Sequence, residues 1–238
     1  MALYTIADLH LSAGVQKPMD IFGGKWQGYM EKIQKNWRAV IQPEDTVVIG
    51  GDISWGINLQ QSLPDFRILS DLPGKKIIGK GNHDLWWCTV KKMKRFFEEN
   101  QIKNIDFLFN NCFIYDNIGI CGTRGWFYEE DFKESHDEKI FRRELLRLEH
   151  SFQAAQAQGA EEIYCFLHYP PLYSTYRCEA IVELLKKYGV KRCVYGHLHG
   201  QSVQRGFSGN YRGVRYDLVS CDALGFALKD VSLESAEG

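Results

Sequence analysis

Short apolar runs rich in β-branched residues alternate along the chain with longer stretches in which apolar residues recur at helical spacing. The runs predict strands at 2–7, 46–50, 75–79, 105–109, 112–116, 118–122, 161–167, 191–195, 211–219 and 226–231. The stretches between them predict helices at 25–41, 57–71, 88–100, 137–157 and 179–188. This alternation is typical of strand–helix–strand units, so we expect an α/β fold whose C-terminal part is mainly strand.

The domain organisation predicted from the sequence is simple. No internal repeat, low-complexity tract or linker rich in proline, glycine and serine marks a boundary, so we expect a single domain over residues 1–238. The segment 123–160 differs in texture, because aromatic and acidic residues precede a stretch in which Leu145, Leu148 and Phe152 share a helical face. We predict that this segment is a cap inserted into the domain.

Composition and charge narrow the classes of function. The chain has 238 residues and is 45% hydrophobic, which is enough for a sizeable core. Its 29 basic residues balance 30 acidic ones to a formal net charge of −1, so no global positive field would hold a polyanion. No apolar run is long enough to span a bilayer, and the N-terminal segment lacks the basic start of a signal peptide. We expect a cytoplasmic protein that acts on neither membranes nor nucleic acid.

The seven cysteines are odd in number and include no C-x-x-C pair. This argues against a disulfide framework and against a thiolate zinc site. Several of them lie in or next to strand-like apolar runs, where a thiol behaves as a small hydrophobic side chain. We therefore expect reduced, buried cysteines.

Polar residues stand where five of the strand-like runs end, which is where α/β folds place their chemistry. The five clusters are Asp8 with His10, Asp52 after two glycines, Asn82 followed by His83 and Asp84, His168, and His197 with His199. Each cluster alone has an ordinary explanation, such as a helix cap, a turn or a structural histidine. Taken together, however, they contain five of the seven histidines in the chain, and chance placement would scatter them.

The donor types in these clusters indicate which metals they suit. They offer carboxylate and amide oxygens and imidazole nitrogens, but no thiolate. Such a set suits manganese, iron or zinc and argues against calcium, copper(I) or an iron–sulfur cluster. Seven ligands exceed what one tetrahedral ion uses, so we expect two divalent or mixed-valence transition metal ions that share a bridging carboxylate.

The ordered blocks Asp-x-His, Gly-Asp, Gly-Asn-His-Asp, His and Gly-His-x-His run from Asp8 to His199. Their types and order resemble the calcineurin-like metallophosphoesterase superfamily, and most closely a bacterial subgroup of predicted phosphohydrolases. The resemblance implies an α/β fold, a four-layer sandwich of two mixed β-sheets flanked by helices.

The resemblance also implies a role for each polar residue. Asp8, His10 and His199 would hold one metal, Asn82, His168 and His197 the other, Asp52 would bridge the two, and His83 would act on the leaving oxygen. The implied reaction is attack of a metal-bound hydroxide on a phosphomonoester or phosphodiester. In that reaction a protonated His83 would serve as general acid.

The chain departs from the family pattern at one place. Many relatives continue Gly-Asp-x-x-Asp, often with an arginine next, whereas this chain has Trp55 and Gly56 there. In those relatives the second aspartate orients the catalytic histidine and the arginine grips phosphate, so His83 needs another partner here. Asp84 is the candidate, although adjacent side chains seldom face each other. The missing arginine weakens the case for a phosphoprotein phosphatase in particular.

Substrate contacts are less visible in the sequence. Arg124, Arg142 and Arg143 could clamp a second phosphate, and Trp126 could stack on a base. Each of them also fits a surface ion pair or core packing. The favoured function is hydrolysis of a small soluble phosphoester such as a nucleotide. Two alternatives are a nuclease of the same chemistry, which the net charge disfavours, and a noncatalytic interaction scaffold. No feature of the sequence indicates an oligomeric state.

Overall fold

The strands of the computed structural model follow the predicted order, and the structure describes residues 1–17, 19–126 and 135–232. They are β1 Leu3–Ile6, β2 Thr46–Ile49, β3 Lys75–Ile78, β4 Ile105–Phe107, β5 Cys112–Tyr115, β6 Ile118–Thr123, β7 Glu162–Leu167, β8 Leu172–Tyr173, β9 Tyr176–Arg177, β10 Arg192–Tyr195, β11 Gly209–Tyr211, β12 Val214–Leu218 and β13 Lys229–Asp230.

The α-helices lie between the strands at the predicted places. They are α1 Tyr29–Val40, α2 Leu59–Asp71, α3 Val90–Glu99, α4 Ser135–Ala157 and α5 Glu179–Lys187. Single 3₁₀ segments, which the sequence analysis did not predict, lie at Met19–Phe22, Gly24–Trp26 and Gly200–Arg205. No helix in the described part of the chain is both long and apolar enough to cross a membrane.

Side-chain caps fix where two of the helices begin. Asn58 accepts a hydrogen bond from the backbone N–H of Gln61 at the start of α2. Thr89 accepts one from the N–H of Lys92 at the start of α3. Both caps use one of the N–H groups that a helix leaves without an internal partner, so the sequence itself sets these boundaries.

The strands form two large mixed sheets. The first has the order β13-β1-β2-β3-β4, and all its pairs are parallel except that of β13 with β1. The second has the order β11-β12-β10-β7-β6-β5, with antiparallel pairs at its two edges and parallel pairs between them. Strands β8 and β9 form a separate short hairpin.

The two sheets pack face to face with helices on their outer sides, which confirms the predicted four-layer sandwich. Alternation along the strands divides the apolar residues between layers. In β2, Val48 faces the second sheet, whereas Val47 and Ile49 pack in the core formed with α1, α2 and α3. In β7, Tyr164 and Phe166 face the first sheet, and the intervening residues pack in the core with α4 and α5.

The sequence predicted a cap over 123–160. In the described part of this segment, helix α4 belongs instead to one of the layers of the sandwich. Helix α4 buries Leu148, Phe152 and Ala155 in the core of the second sheet. The contact with β6 is close, because Gly119 lacks a side chain opposite Ala155; a Cβ there would lie 2.8 Å from the alanine Cβ. This part is therefore a flanking helix rather than a cap, and residues 127–134 lie outside the described residues.

Two further predictions, the strand at 211–219 and the burial of the cysteines, can be compared with the structure. The predicted strand 211–219 contains β12 but begins too early, because a hairpin turn with positive φ at Arg212 and Gly213 separates β12 from β11. The predicted burial of the cysteines is confirmed for all but Cys88, which is half-buried, and all seven are free thiols in this structure. Four of them lie in register across adjacent strands of the second sheet, at Cys112, Cys121, Cys165 and Cys193.

Candidate metal centre

The polar clusters predicted from the sequence meet at one edge of the sandwich. Asp8, Asp52 and Asn82 follow the parallel strands β1, β2 and β3 of the first sheet. His168 and His197 follow β7 and β10 of the second sheet. Because parallel strands end at the same edge, the two sheets present these side chains to a shared space.

A backbone link holds the two sheets together at this edge. The N–H of Ala7 donates to the carbonyl of Val219 at 2.9 Å, and the N–H of Cys221 donates to the carbonyl of Ala7 at 2.9 Å. Ala7 thereby pairs in parallel with Ser220, just beyond β1 and β12. The link fixes the residues that follow β1 against those that follow β12.

The first group of candidate ligands surrounds Asp8. The Nε2 atoms of His10 and His199 lie 3.2 Å apart. Oδ1 of Asp8 lies 3.5 Å from Nε2 of His199. One ligand atom from each of these three residues lies within 4.8 Å of the others, which is the arrangement that a metal ion needs.

The second group lies around His168. Its Nε2 lies 2.7 Å from Oδ1 of Asn82 and 3.2 Å from Nδ1 of His197. The same amide oxygen lies 2.9 Å from Nδ1 of His197. On its other side, Nδ1–H of His168 donates to the carbonyl of Gly50 at 3.2 Å. With its proton on Nδ1, His168 has a free lone pair on Nε2, on the side where the candidate ligand atoms of Asn82 and His197 lie.

Asp52 lies between the two groups. Its Oδ2 is 3.7 Å from Nε2 of His10 and 3.5 Å from Nε2 of His168. Its other oxygen, Oδ1, accepts a hydrogen bond from the backbone N–H of His83 at 2.7 Å. One carboxylate oxygen is thus fixed by the protein, and the other faces both groups.

The backbone is strained at these positions. Asp8, His10, Asp52 and His197 all have φ between 46° and 73°, a region that residues other than glycine rarely adopt. Such strain clusters at functional sites, where the surrounding structure holds it in place. A glycine also makes room here, because a Cβ at Gly81 would run into the Asp52 carboxylate.

Burial and neighbouring charges shift the pKa values in the cluster strongly. Burial, followed by the charge of Asp8, raises the pKa of Asp52 to about 8. Burial also raises the pKa of Asp8, but the neighbouring imidazoles, that of His199 first, outweigh it and hold the pKa below its usual value. Burial lowers the pKa of His199, but Asp8 and then Asp222 outweigh it and raise the pKa to about 10.

The prediction that Asp84 orients His83 is wrong. Asp84 is buried, and its carboxylate accepts hydrogen bonds from four backbone N–H groups and an indole: Asp52, Ile53, Ser54 and Gly81 at 2.7–3.4 Å, and Nε1 of Trp86 at 3.0 Å. These bonds tie the loop after β2 to the loop after β3. Asp84 therefore fixes the backbone that carries Asp52, and none of these hydrogen bonds reaches the ring of His83.

Trp55 takes the place beside His83 instead. Its ring centroid lies 4.6 Å from that of His83 and 4.7 Å from that of His10, and it is stacked on His10 at an interplanar angle of 21°. The ammonium of Lys17 lies 3.5 Å from the centroid of the same indole. The residue that replaces the family's aspartate is thus an aromatic wall against both imidazoles.

The predicted substrate residues divide into two sets. The guanidinium of Arg124 lies 4.5 Å from the ring centroid of Trp126, next to the loop that carries His168. Arg142 points elsewhere, since it forms an exposed ion pair with Glu138 at 2.5 Å. Arg143 is exposed on α4. Burial lowers the pKa of Arg124, and the positive charges of Arg147 and Arg143 lower it further.

Comparison with known proteins decides the family. A family model described as calcineurin-like phosphoesterase matches residues 1–201, which cover all the clusters described above. The chain belongs to this family. It is therefore a metal-dependent hydrolase of phosphoester bonds, as the resemblance implied. No curated protein matches the chain.

Solved structures share the calcineurin-like phosphoesterase fold at low identity. A protein of unknown function from Aquifex aeolicus is 18% identical, with a TM-score of 0.55 over 96% of this chain and 95% of that one. Phosphopantetheinyl hydrolase from Mycobacterium tuberculosis is 15% identical, with a TM-score of 0.57 over 100% of this chain and 98% of that one. These similarities support the fold.

The donor set fits the metal ions on which calcineurin-like phosphoesterases depend. Asp8 and Asp52 are buried carboxylates whose ion-pair partners in the described part of the chain are all histidines, with no lysine or arginine among them. Buried anions of this kind need a cation to offset the cost of desolvation. The close pairs of imidazole nitrogens supply nitrogen donors at the same place.

One residue of the calcineurin-like site was missed in the sequence. Oδ1 of Asp222 accepts a hydrogen bond from Nδ1–H of His199 at 3.0 Å, and its Oδ2 accepts one from the N–H of Gly200 at 2.8 Å. Asp222 lies just beyond β12, at the same sheet edge as the five clusters. The search for polar residues directly after strand-like runs did not select it, because it lies four positions beyond the end of β12 at Leu218.

Proposed function

We propose that the protein is a dinuclear metal-dependent phosphohydrolase that acts on a phosphomonoester or phosphodiester of a small soluble substrate such as a nucleotide. The observation that carries the proposal is the position of Asp52. Its Oδ2 lies within 3.7 Å of a ligand nitrogen from each of the two groups. A carboxylate in that position suits a bridge between two ions.

The proposal gives each ligand a place. Asp8, His10 and His199 would hold one ion, Asn82, His168 and His197 would hold the other, and Asp52 would contact both. These nitrogen and oxygen donors suit manganese, iron or zinc. A pair of such ions at this place supplies the Lewis acidity that makes water nucleophilic near neutral pH and offsets charge on the phosphoryl oxygens.

Neighbouring acceptors prepare two of the imidazoles for this role. The carboxylate of Asp222 holds the proton of His199 on Nδ1, and the carbonyl of Gly50 holds that of His168 on Nδ1. In each ring Nε2 is then left as the donor atom that faces the cluster. Second partners of this kind fix both the tautomer and the orientation of a ligand histidine.

His83 is the group proposed to protonate the leaving oxygen. It is exposed, whereas the carboxylates and His168 behind it are buried, so an ester oxygen can reach its ring. Its backbone N–H is fixed by Asp52 and its ring lies against Trp55. A side chain in this position suits the proposed role of proton donor at the open side of the cluster.

Two features support a small substrate that carries a ring. The formal net charge of −1 gives no general attraction for a polymer of phosphates. Beside the second group, the ring of Tyr169 lies 4.6 Å from that of His197 and 5.7 Å from that of Trp126. Aromatic rings at such a place suit stacking with a nucleobase.

A substrate screen with matched variants tests the proposal. The protein is supplied with Mn²⁺ and assayed on nucleotides and on chromogenic monoesters and diesters, with Asp116→Asn as a control at an exposed turn. We expect metal-dependent turnover that falls by about 10²–10⁴ in His83→Ala, as for a general acid. Asp52→Asn should lose turnover together with one ion per chain. Full turnover in both variants, or no turnover on any ester, would overturn the proposal.

A further inference from the structure

Two positive side chains, those of Lys80 and Arg124, lie near the second group of ligands and have no acidic partner among the residues that the structure describes. The ammonium of Lys80 and the guanidinium of Arg124 form neither a hydrogen bond nor an ion pair with any described residue, and Nε of Arg124 is buried. Both side chains are half-buried. A cation in such a place loses hydration with nothing to replace it, so the arrangement indicates a missing anion.

The two residues are anchored to the metal-ligand loops. Lys80 follows β3, two positions before Asn82, and lies close to Thr123 and His168 where the two sheets meet. The carbonyl of Arg124 accepts hydrogen bonds from the N–H of His168 at 3.1 Å and from that of Tyr169 at 3.0 Å. The backbones of both residues are therefore anchored to the loops that carry Asn82 and His168.

Glu144 is the described acid whose charge acts most on the pKa of Arg124, but its carboxylate is bonded elsewhere. Oε2 of Glu144 accepts a hydrogen bond from the hydroxyl of Thr123 at 2.5 Å, and its Oε1 accepts one from Arg147 at 2.5 Å. Glu144 is therefore already occupied by one cation of its own helix, and among the described residues it forms an ion pair with neither Lys80 nor Arg124.

The Arg124 side chain is held ready for a ligand. Its guanidinium lies 4.5 Å from the ring centroid of Trp126 and 6.0 Å from that of Tyr169. Stacking on aromatic rings restricts the guanidinium without using its N–H donors. These donors stay free for the paired oxygens of a phosphate, which a planar guanidinium can bind in bidentate fashion.

We propose that Lys80 and Arg124 form a subsite for a second phosphate of the substrate, beside the phosphoryl group that is hydrolysed. The inference rests on the proposed function, which places the hydrolysed phosphoryl group at the adjacent metal centre. It assigns the substrate to phosphoesters that carry two phosphates close together, such as a nucleoside diphosphate or its ester. It also places in this chain a phosphate-binding arginine after β6, whereas Gly56 stands where relatives carry one.

Anion binding tests the subsite without any need for turnover. Titration calorimetry on the Mn²⁺-loaded protein compares orthophosphate with pyrophosphate in the wild type, Lys80→Gln, Arg124→Gln and the control Arg95→Gln, which changes an exposed arginine of α3. We expect pyrophosphate to bind at least about tenfold more tightly than orthophosphate to the wild type and the control, which corresponds to about 1.4 kcal/mol. In Lys80→Gln and Arg124→Gln the ratio should fall to about two or less, with orthophosphate binding nearly unchanged.

The outcomes separate this inference from the proposed function. An unchanged ratio in either folded variant, or an equal loss for both anions, would overturn the subsite. Thermal unfolding identifies a variant that does not fold, and the other substitution then decides alone. The expected preference for pyrophosphate, lost in the two variants of a protein that hydrolyses no ester, would contradict the proposed function and support the subsite. Ester hydrolysis together with the same preference in the wild type and the variants would support the proposed function and contradict the subsite.

Discussion

The Nδ1 atom of His199 lies 3.0 Å from Oδ1 of Asp222, so a residue after β12 holds a candidate ligand that follows β10. The same carboxylate accepts the N–H of Gly200 at 2.8 Å, which fixes its direction. This pair makes Asp222 a positioning residue that acts through the histidine. It also extends the cluster beyond the residues that match the family model, which end at residue 201.

We expect Asp222→Asn to weaken metal binding by about 10–100-fold, the usual effect of losing a partner of a ligand histidine. The amide would no longer hold the proton of His199 on Nδ1 as firmly, so Nε2 would be a poorer donor. Competition with a chromogenic chelator measures the affinity, and the exposed Asp116→Asn serves as control. Unchanged affinity in a folded Asp222→Asn protein would contradict the assignment.

Trp55 should matter for rate more than for substrate binding. It packs against the rings of His10 and His83, and a small loss of alignment at a reacting group can cost on the order of 10²-fold in rate. We expect kcat to fall by about 10–100-fold in Trp55→Ala with KM nearly unchanged. Trp55→Phe keeps an aromatic wall and should retain most of the activity. Equal kcat in the alanine variant and the wild type would show that His83 is oriented by other means.

Asp84 should behave as a structural residue. Replacing it with asparagine turns an amide N–H₂ toward backbone donors that the carboxylate now satisfies, which costs about 1–3 kcal/mol for a buried group. Chemical denaturation should show this loss, whereas Asp106→Asn, which breaks an ion pair with Lys75, should cost less than about 1 kcal/mol. A protein of full stability that has lost its activity would instead restore Asp84 to the chemistry.

The contact between α4 and the second sheet predicts a stability difference between two glycines. A Cβ at Gly119 would lie 2.8 Å from the Cβ of Ala155, so Gly119→Ala should destabilise the fold by about 1–3 kcal/mol through overpacking. At Gly24 a Cβ meets no atom within 4 Å, and Gly24→Ala should stay within about 0.5 kcal/mol. Similar free energies of unfolding for the two variants would mean that α4 does not pack closely on β6.

Most of the architecture could be read from local patterns. Short apolar runs such as those of β2 and β7 predicted the strands, and polar residues at the carboxyl ends of β1, β2, β3, β7 and β10 predicted the clusters, because these signals lie in short stretches of chain. The hairpin of β11 and β12 was missed, since its turn at Arg212 and Gly213 interrupts an apolar run only briefly.

Contacts between remote segments could not be predicted. The bond between His199 and Asp222, and the wall that Trp55 makes against His83, depend on how loops of different strands meet. The same holds for Asp84, whose five donors come from two loops and from Trp86, so its adjacency to His83 was misleading. Likewise, only the structure shows that Glu144 is occupied by Arg147 and forms no ion pair with Lys80.

The most direct test of the account is a crystal structure of the protein grown with Mn²⁺, with the ions located by anomalous scattering. We expect two peaks about 3.5–4 Å apart, with Asp52 contacting both, as in two-metal hydrolytic sites. A single peak, or two peaks that Asp52 does not join, would contradict the dinuclear centre on which the proposed function depends.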